Sequence, residues 1–115
     1  MSAKRKVLWL DDLRNVPADT VSEEYEWVKD FYEFQCWILE NGMPDALDLD
    51  HDLGTDKTGY DCLKFCIGIH AANPDMALPE LRVHSANPVG RDNMFYYYKN
   101  YCLRSGIPVT TYTEQ

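Results

Sequence analysis

The sequence predicts a single α/β domain, residues 1–115, with a mostly parallel five-stranded sheet in a three-layer arrangement. Short apolar runs of strand length alternate along the chain with segments whose apolar residues have helical spacing. Clusters of unusual polar residues follow directly after three of these runs. The length of 115 residues, with 45% hydrophobic and 26% charged residues, suits one globular domain with one core.

The first half of the chain predicts three strands and one helix. KVLWLDD (Lys6–Asp12) is an apolar run that ends at two acids and predicts a buried strand. LRNVPADTVSEEY then has room for a short turn of helix at most, so we expect the first helix to be reduced. A second strand is predicted around Glu26–Asp30, a helix over FYEFQCWILENG, and a third strand at Ala46–Asp50.

The second half predicts two further strands and two helices. Thr58 and Asp61 have the spacing of a capping box, and Asn73-Pro74 ends the helix that it begins. ELRVHSA predicts a fourth strand before a polar turn, NPVG, and RDNMFYYYKNYCLRSG a helix that stops at Gly106. The β-branched tail IPVTTYT predicts a fifth strand, and we expect no helix after it.

The polar residues at the ends of the first, third and fourth strands predict a binding site. They are Asp11 and Asp12, Asp50 to Asp52, and His84 to Asn87. In a parallel α/β sheet, ligands bind outside the carboxyl ends of the strands, where these three segments should meet.

Three of these acids, Asp11, Asp12 and Asp50, have the chemistry of a divalent-metal site. Mg²⁺ or Mn²⁺ prefers oxygen ligands, and Mg²⁺ keeps several waters, so two or three carboxylates are enough. The cation would also compensate charges that are costly to bury. The alternative is that these are exposed loop acids that cap helices and turns. We expect Asp48 to face solvent or to twist away from the metal.

Two histidines and four potential phosphate ligands belong to the same predicted edge. His51 and His84 could transfer protons near neutral pH, or each could make a structural hydrogen bond. Donors that could hold phosphate oxygens come from a hydroxyl, an amide and two guanidinium groups: Ser85, Asn87, Arg14 and Arg91. The alternative for each arginine is an exposed surface position.

Charge and hydropathy exclude some classes of function. A net charge of −8 argues against a general nucleic-acid-binding surface, although one RNA end held through a cation stays open. No apolar run approaches the length of a membrane span, and the N-terminal run is too short for a signal peptide. We therefore expect a cytoplasmic protein. The aromatic run Phe95–Tyr98 is more typical of core and interface than of a base-stacking platform.

The layout resembles the receiver domain of two-component signalling, which has a flavodoxin-like fold. The matching residues are the acids Asp11 and Asp12, Asp50, Gly59, and the pair Ser85-Ala86. In receivers the corresponding residues bind Mg²⁺, accept a phosphoryl group and sense it. However, PVTTYT lacks the lysine that receivers carry after the fifth strand, which argues against phosphoacceptor signalling.

Three sequence blocks together resemble the cyclic-phosphate-processing receiver domains more closely. They are LWLDDLRNVP, LDLDHDLG with TGYD, and HSANPVGRDNM. The resemblance implies action on cyclic phosphates, such as a 2′,3′-cyclic nucleotide or RNA end. It also implies roles for these motif residues: Asp11, Asp12, Arg14, Asp50, His51, Asp52, His84, Ser85 and Asn87.

The leading hypothesis is a metal-assisted phosphoesterase, or a binder, for cyclic phosphates. His51 and His84 would move protons, and Asp52 would orient His51 or a metal-bound water. The alternatives are a catalytically silent module that binds a nucleotide or a protein, and a phosphoaccepting domain.

Overall fold

Strands and helices alternate along the chain in the computed structural model, which describes residues 4–113. The elements in order are β1 (Arg5–Leu10), β2 (Glu23–Val28), α1 (Phe31–Asn41), β3 (Ala46–Leu49), α2 (Gly59–Ala72), β4 (Glu80–Val83), α3 (Pro88–Ser105) and β5 (Thr111–Thr113). Across this described range, no helix combines the length and the apolar character needed to cross a membrane.

The strands form one parallel sheet in the order β2-β1-β3-β4-β5. All four pairings are parallel, which confirms the α/β class. Four strands make the body of the sheet. At its edge β5 pairs with β4 only over Thr111–Thr113, so this strand is shorter than the predicted IPVTTYT segment.

All three helices lie on the same face of the sheet. The connections from β2 to β3, β3 to β4 and β4 to β5 step across the sheet in one direction, and right-handed crossovers then place their helices on one side. Helix α2 packs between α1 and α3. Leu8, Leu47 and Leu81 face this layer and share one core cluster with residues of all three helices, for example Leu63 and Met94.

The expected three layers are therefore wrong for the described residues, which form two. Only the connection from β1 to β2 steps in the opposite direction, so only this segment would place a helix on the other face. Residues 11–22 form no helix, and the first helix is absent rather than reduced.

The helix-free face is covered by the loop of residues 11–22 and by ion pairs. Trp9 is 2% exposed there, and its indole N–H donates to the carbonyl of Arg14 at 3.2 Å. Asp48 and Arg82 lie beside it on β3 and β4, because the sheet register aligns these three residues. The guanidinium of Arg82 forms a bidentate ion pair with Glu23.

Two element boundaries differ from the predicted ones for local reasons. Strand β2 lies at Glu23–Val28, ahead of the predicted Glu26–Asp30, because Asp30 caps α1 by accepting a hydrogen bond from the Glu33 backbone N–H. Helix α3 begins at Pro88, within the predicted NPVG turn. Asn87 is its N-cap and accepts from the Gly90 N–H at 3.0 Å.

Candidate metal and phosphate site

The carboxyl ends of β1, β3 and β4 meet at one edge of the sheet, as the sequence predicts. The register pairs Leu10 with Leu49, and Leu49 with Val83. The ladder continues past the strand ends, since the Asp50 N–H donates to the Leu10 carbonyl and the His84 N–H to that of Leu49. The residues that follow each strand are therefore held side by side.

Asp11, Asp12 and Asp50 form a carboxylate cluster at this edge. One oxygen from each lies within 4.8 Å of the others. A cavity of about 400 Å³ opens onto the cluster and is also lined by Arg14, and by Leu13, Asp52 and Gly54. An all-oxygen donor set from two strand ends, open to solvent on one side, fits a Mg²⁺ that retains waters.

Asp50 has a pKa above its ordinary value. Burial raises the pKa first, and the negative charge of Asp11 raises it further. His84, a hydrogen bond with Ser85 and the His51 N–H oppose this shift. The ionised Asp50 carboxylate is therefore destabilised in the metal-free site, and a bound cation would relieve that cost.

His84 lies buried between two aspartates. Its Nε2 is 3.0 Å from Asp11 Oδ2, and its Nδ1 is 2.7 Å from Asp48 Oδ1. The ring stacks on Trp9 with centroids 3.7 Å apart. Each ring nitrogen thus lies within hydrogen-bond distance of a carboxylate oxygen, and the ring bridges Asp11 and Asp48.

Asp48 does not face solvent, and of the two positions expected for it the second, away from the metal cluster, is the one observed. It is 7% exposed on the helix-free face of the sheet, where His84 is its partner. Asp11 is fixed just as firmly, because its Oδ1 accepts from the backbone N–H groups of Leu13 and Arg14. The turn after β1 is therefore built around this carboxylate.

His51 has a carboxylate on one ring nitrogen only. Its Nδ1 lies 3.0 Å from Asp52 Oδ1, and this hydrogen bond lowers the pKa of the largely exposed Asp52. The Asn87 amide donates to the other Asp52 oxygen at 3.2 Å. Among the described residues, no side chain or backbone group occupies Nε2 of His51.

The other predicted phosphate ligands differ in their placement. Arg14 lines the cavity, and its guanidinium donates to the His84 carbonyl at 3.3 Å. Ser85 hydrogen-bonds Asp50, and its hydroxyl accepts from the Asn87 N–H at 3.1 Å. Arg91 lies outside the lining of this cavity, with its guanidinium 3.9 Å from the Asp92 carboxylate.

Three glycines approach the site closely, and Gly59 is also one of the positions that match the receiver pattern in the sequence. A Cβ on Gly59 would lie 1.9 Å from the Asp50 carbonyl oxygen, and one on Gly90 would lie 2.4 Å from the His51 ring. Gly54 has φ +70 and approaches the Asp12 carboxylate. Nothing in the local sequence indicates how closely Gly54 and Gly90 approach the site.

Replacing Gly59 should show how much the fold depends on this close approach. Gly59→Ala should lower the free energy of unfolding by about 1–3 kcal/mol, because the new methyl group meets backbone that cannot yield. Gly68→Ala is the matched control on the same helix, since its Cβ would meet nothing within 4 Å. In urea unfolding, Gly68→Ala should raise the free energy of unfolding by about 0.5–1 kcal/mol. Equal effects of the two variants would contradict the packing described here.

Replacing Asp50 should stabilise the metal-free protein. Its raised pKa means that the ionised form is disfavoured in the folded state, so the penalty appears as pH rises through that pKa. With a chelator present, Asp50→Asn should raise Tm at pH 7 by roughly 1–3 °C, a small effect because solvent screens a half-buried group. The gain should disappear below about pH 4, where the carboxyl is protonated in both states. Asn at exposed Asp75 is the control, and an equal gain there would refute the assignment.

Comparison with known proteins agrees with this architecture. The response regulator domain of Thermotoga maritima CheB superposes with a TM-score of 0.55 at 17% identity, covering 96% of this chain and 78% of that one. A fusion chain containing the trimeric coiled coil of yeast Spc42 gives 0.52 at 15% identity, covering 98% and 71%. At these identities the likeness shows the fold alone. No curated protein is similar enough to count as a match.

The sequence itself gives a family. The family model for the cyclic-phosphate processing receiver domain matches residues 6–100, which include every element from β2 to β4, most of β1 and α3, and all of the candidate site. This chain therefore belongs to the family of cyclic-phosphate processing receiver domains.

Proposed function

We propose that this protein binds a cyclic phosphate ester with the help of a divalent cation and opens its ring with water. The observation that carries the proposal is the clustering of Asp11, Asp12 and Asp50 beside a cavity that also presents Arg14. Membership of the family supports a cyclic phosphate as the ligand class.

The three carboxylates would hold Mg²⁺ or Mn²⁺. When bound, the cation would neutralise charge on the phosphate oxygens and polarise the phosphorus centre. Without it, a phosphate would meet the field of a chain with a net charge of −8. Arg14 adds a fixed positive charge on the wall of the same cavity.

His51 has the geometry of the general base. With Nδ1 as the donor to Asp52, the lone pair on Nε2 would be free to take a proton from water. The water oxygen would then bond to phosphorus while one ester P–O bond breaks. The leaving oxygen takes a proton from solvent, and the product is a phosphate monoester.

His84 serves best as a positioning residue for Asp11. Both of its nitrogens face carboxylates, and its side chain has no exposed surface. A ring held in this way cannot exchange a proton with substrate without breaking a buried hydrogen bond to a carboxylate. We therefore assign proton transfer to His51, whereas the sequence-based hypothesis gave it to both histidines.

Cation binding should stabilise the fold through Asp12. Saturating Mg²⁺ should raise Tm, because a ligand at a hundred times its Kd adds about 2.7 kcal/mol to the free energy of unfolding. Asp12→Asn should remove most of this shift, and Asp75→Asn, an exposed loop change, should preserve it. A full Mg²⁺ shift in Asp12→Asn would exclude the cluster as the cation site. Calorimetric titration with Mn²⁺ checks the same affinity directly.

Turnover of a 2′,3′-cyclic mononucleotide tests the catalytic proposal. In the presence of Mg²⁺, His51→Gln should lower kcat by about 10²–10⁴-fold, the usual contribution of a general base. Its Mn²⁺ affinity, the internal control, should be unchanged. Undiminished turnover would remove His51 from the mechanism.

Two results would point to the rival functions. Binding of the cyclic nucleotide by the wild-type protein without turnover would identify a silent binding module. A gain of one phosphoryl group in intact mass after incubation with a small phosphodonor would identify Asp50 as a phosphoacceptor.

A further inference from the structure

A polar and aromatic groove between α2 and α3 has no part in the proposed chemistry. It has a volume of about 340 Å³. One wall is a stripe along α3 with the spacing of a single helix face, and the other is an aromatic residue of α2; the lining residues are Asn93, Tyr96, Tyr97, Asn100, Arg104 and Tyr60. We call this feature the α2–α3 groove.

The α2–α3 groove has no carboxylate in its lining, although the chain carries 19 acidic residues. The acid nearest to it in sequence on α2, Asp61, pairs with Lys64 at 3.5 Å. The ammonium of Lys64 lies 5.0 Å from the centroid of the Tyr60 ring. Arg104 is the one cationic side chain among the described lining residues, and it offers a positive group to phosphate on an otherwise acidic protein.

The side chains in the groove have the chemistry that binds nucleotides of a single strand. Tyr60 and Tyr97 pack edge to face at 5.5 Å, and Tyr96 is 70% exposed. Exposed aromatic rings stack on bases, amides such as Asn93 read base edges, and a guanidinium contacts the backbone. The aromatic run Phe95–Tyr98 is thus divided, because Tyr96 and Tyr97 line the groove whereas Tyr98 lies in the core.

The groove begins beside the candidate site. Tyr60 follows Gly59, whose N–H donates to the His51 carbonyl at 2.8 Å. Asn93 lies one helical turn beyond Gly90, the glycine packed against the His51 ring. From Asn93 to Arg104 the stripe extends about 16 Å at 1.5 Å per residue, room for at most about five stacked nucleotides.

We propose that the α2–α3 groove binds the nucleotides that precede a terminal 2′,3′-cyclic phosphate, which makes a single-stranded RNA end the substrate class. This rests on the proposed function for the cyclic phosphate itself. The groove adjoins the site through Gly59 and Gly90, which both contact His51, and its described lining combines aromatic rings, amides and a guanidinium with no carboxylate. Specific contact here is compatible with the lack of a general basic surface, because it needs only a few phosphate contacts.

Binding of oligoribonucleotides of increasing length tests the proposal. Fluorescence anisotropy would compare the affinities of oligoribonucleotides with a cyclic-phosphate end, from the mononucleotide to the hexanucleotide. Mg²⁺ would be present, and conditions would be chosen so that one ligand binds each protein molecule. Affinity should rise about tenfold or more with length and then level off. Tyr96→Ala and Arg104→Ala should each reduce the gain by about fivefold or more, with mononucleotide binding unchanged. The log–log salt slope should be about −0.7 to −1.4, as for one or two phosphate contacts.

Two control variants test whether the loss of affinity is specific to the groove. Tyr32→Ala removes a tyrosine of α1 that is 71% exposed, and Lys99→Ala removes an exposed cation of α3 outside the groove. Affinity that does not depend on length, or equal losses in these controls, would overturn the groove proposal. If the cyclic mononucleotide is neither bound nor opened, the proposed function fails instead. The groove is then judged by the same oligonucleotides ending in a 3′-hydroxyl, whose binding should still depend on Tyr96 and Arg104.

Discussion

One imidazole ring joins three strands at the edge where the site lies. His84, just after β4, faces Asp11 after β1 and Asp48 within β3. Buried polar groups are costly unless they are hydrogen-bonded, and leaving one of them unsatisfied costs about 1–3 kcal/mol. The hydrogen bonds also fix the direction of the Asp11 carboxylate. The same contact therefore stabilises the sheet edge and prepares a candidate metal ligand.

The missing first helix makes this arrangement possible. A helix over residues 11–22 would be held by its own hydrogen bonds, whereas the loop that replaces it uses Asp11 and Trp9 as its anchors. The Trp27 indole N–H donates to the Asp11 carbonyl at 2.9 Å and is a third anchor of the loop. A single segment thus covers part of the helix-free face and carries Asp12 and Arg14 to the cavity at the sheet edge.

The features that could be predicted from the sequence, such as strand ends and helix caps, are those set by short local patterns. The runs that end at Asp11 and Asp50 locate the strand ends, and a parallel sheet brings such ends together. The capping box at Thr58 and Asp61 is also confirmed, with a backbone hydrogen bond of 2.8 Å. The Asn87-Pro88 pair carried the local signal for the start of α3, but the NPVG segment was interpreted as a turn.

The errors concern contacts between distant segments. The burial of Asp48 is an example, because its partner, His84, lies in the segment after β4, 36 residues away in sequence. The number of layers depends in the same way on whether residues 11–22 form a helix. Nor does spacing reveal that Gly59 and Gly90 approach Asp50 and His51 so closely, because this follows from how α2 and α3 pack at the sheet edge.

The two histidines show how neighbours divide one chemistry between identical side chains. His84 has a carboxylate at each nitrogen and is fully enclosed, so it is suited to hold charge in place. His51 has a carboxylate at one nitrogen and is 17% exposed, so its second nitrogen can meet a ligand.

The three carboxylates of the cluster also differ in how firmly they are held. Asp11 and Asp50 are fixed by backbone N–H groups, while Asp12 has no hydrogen-bond partner among the described residues. Asp12 is therefore the ligand best able to adjust when a cation binds, on a rim whose other members are already set.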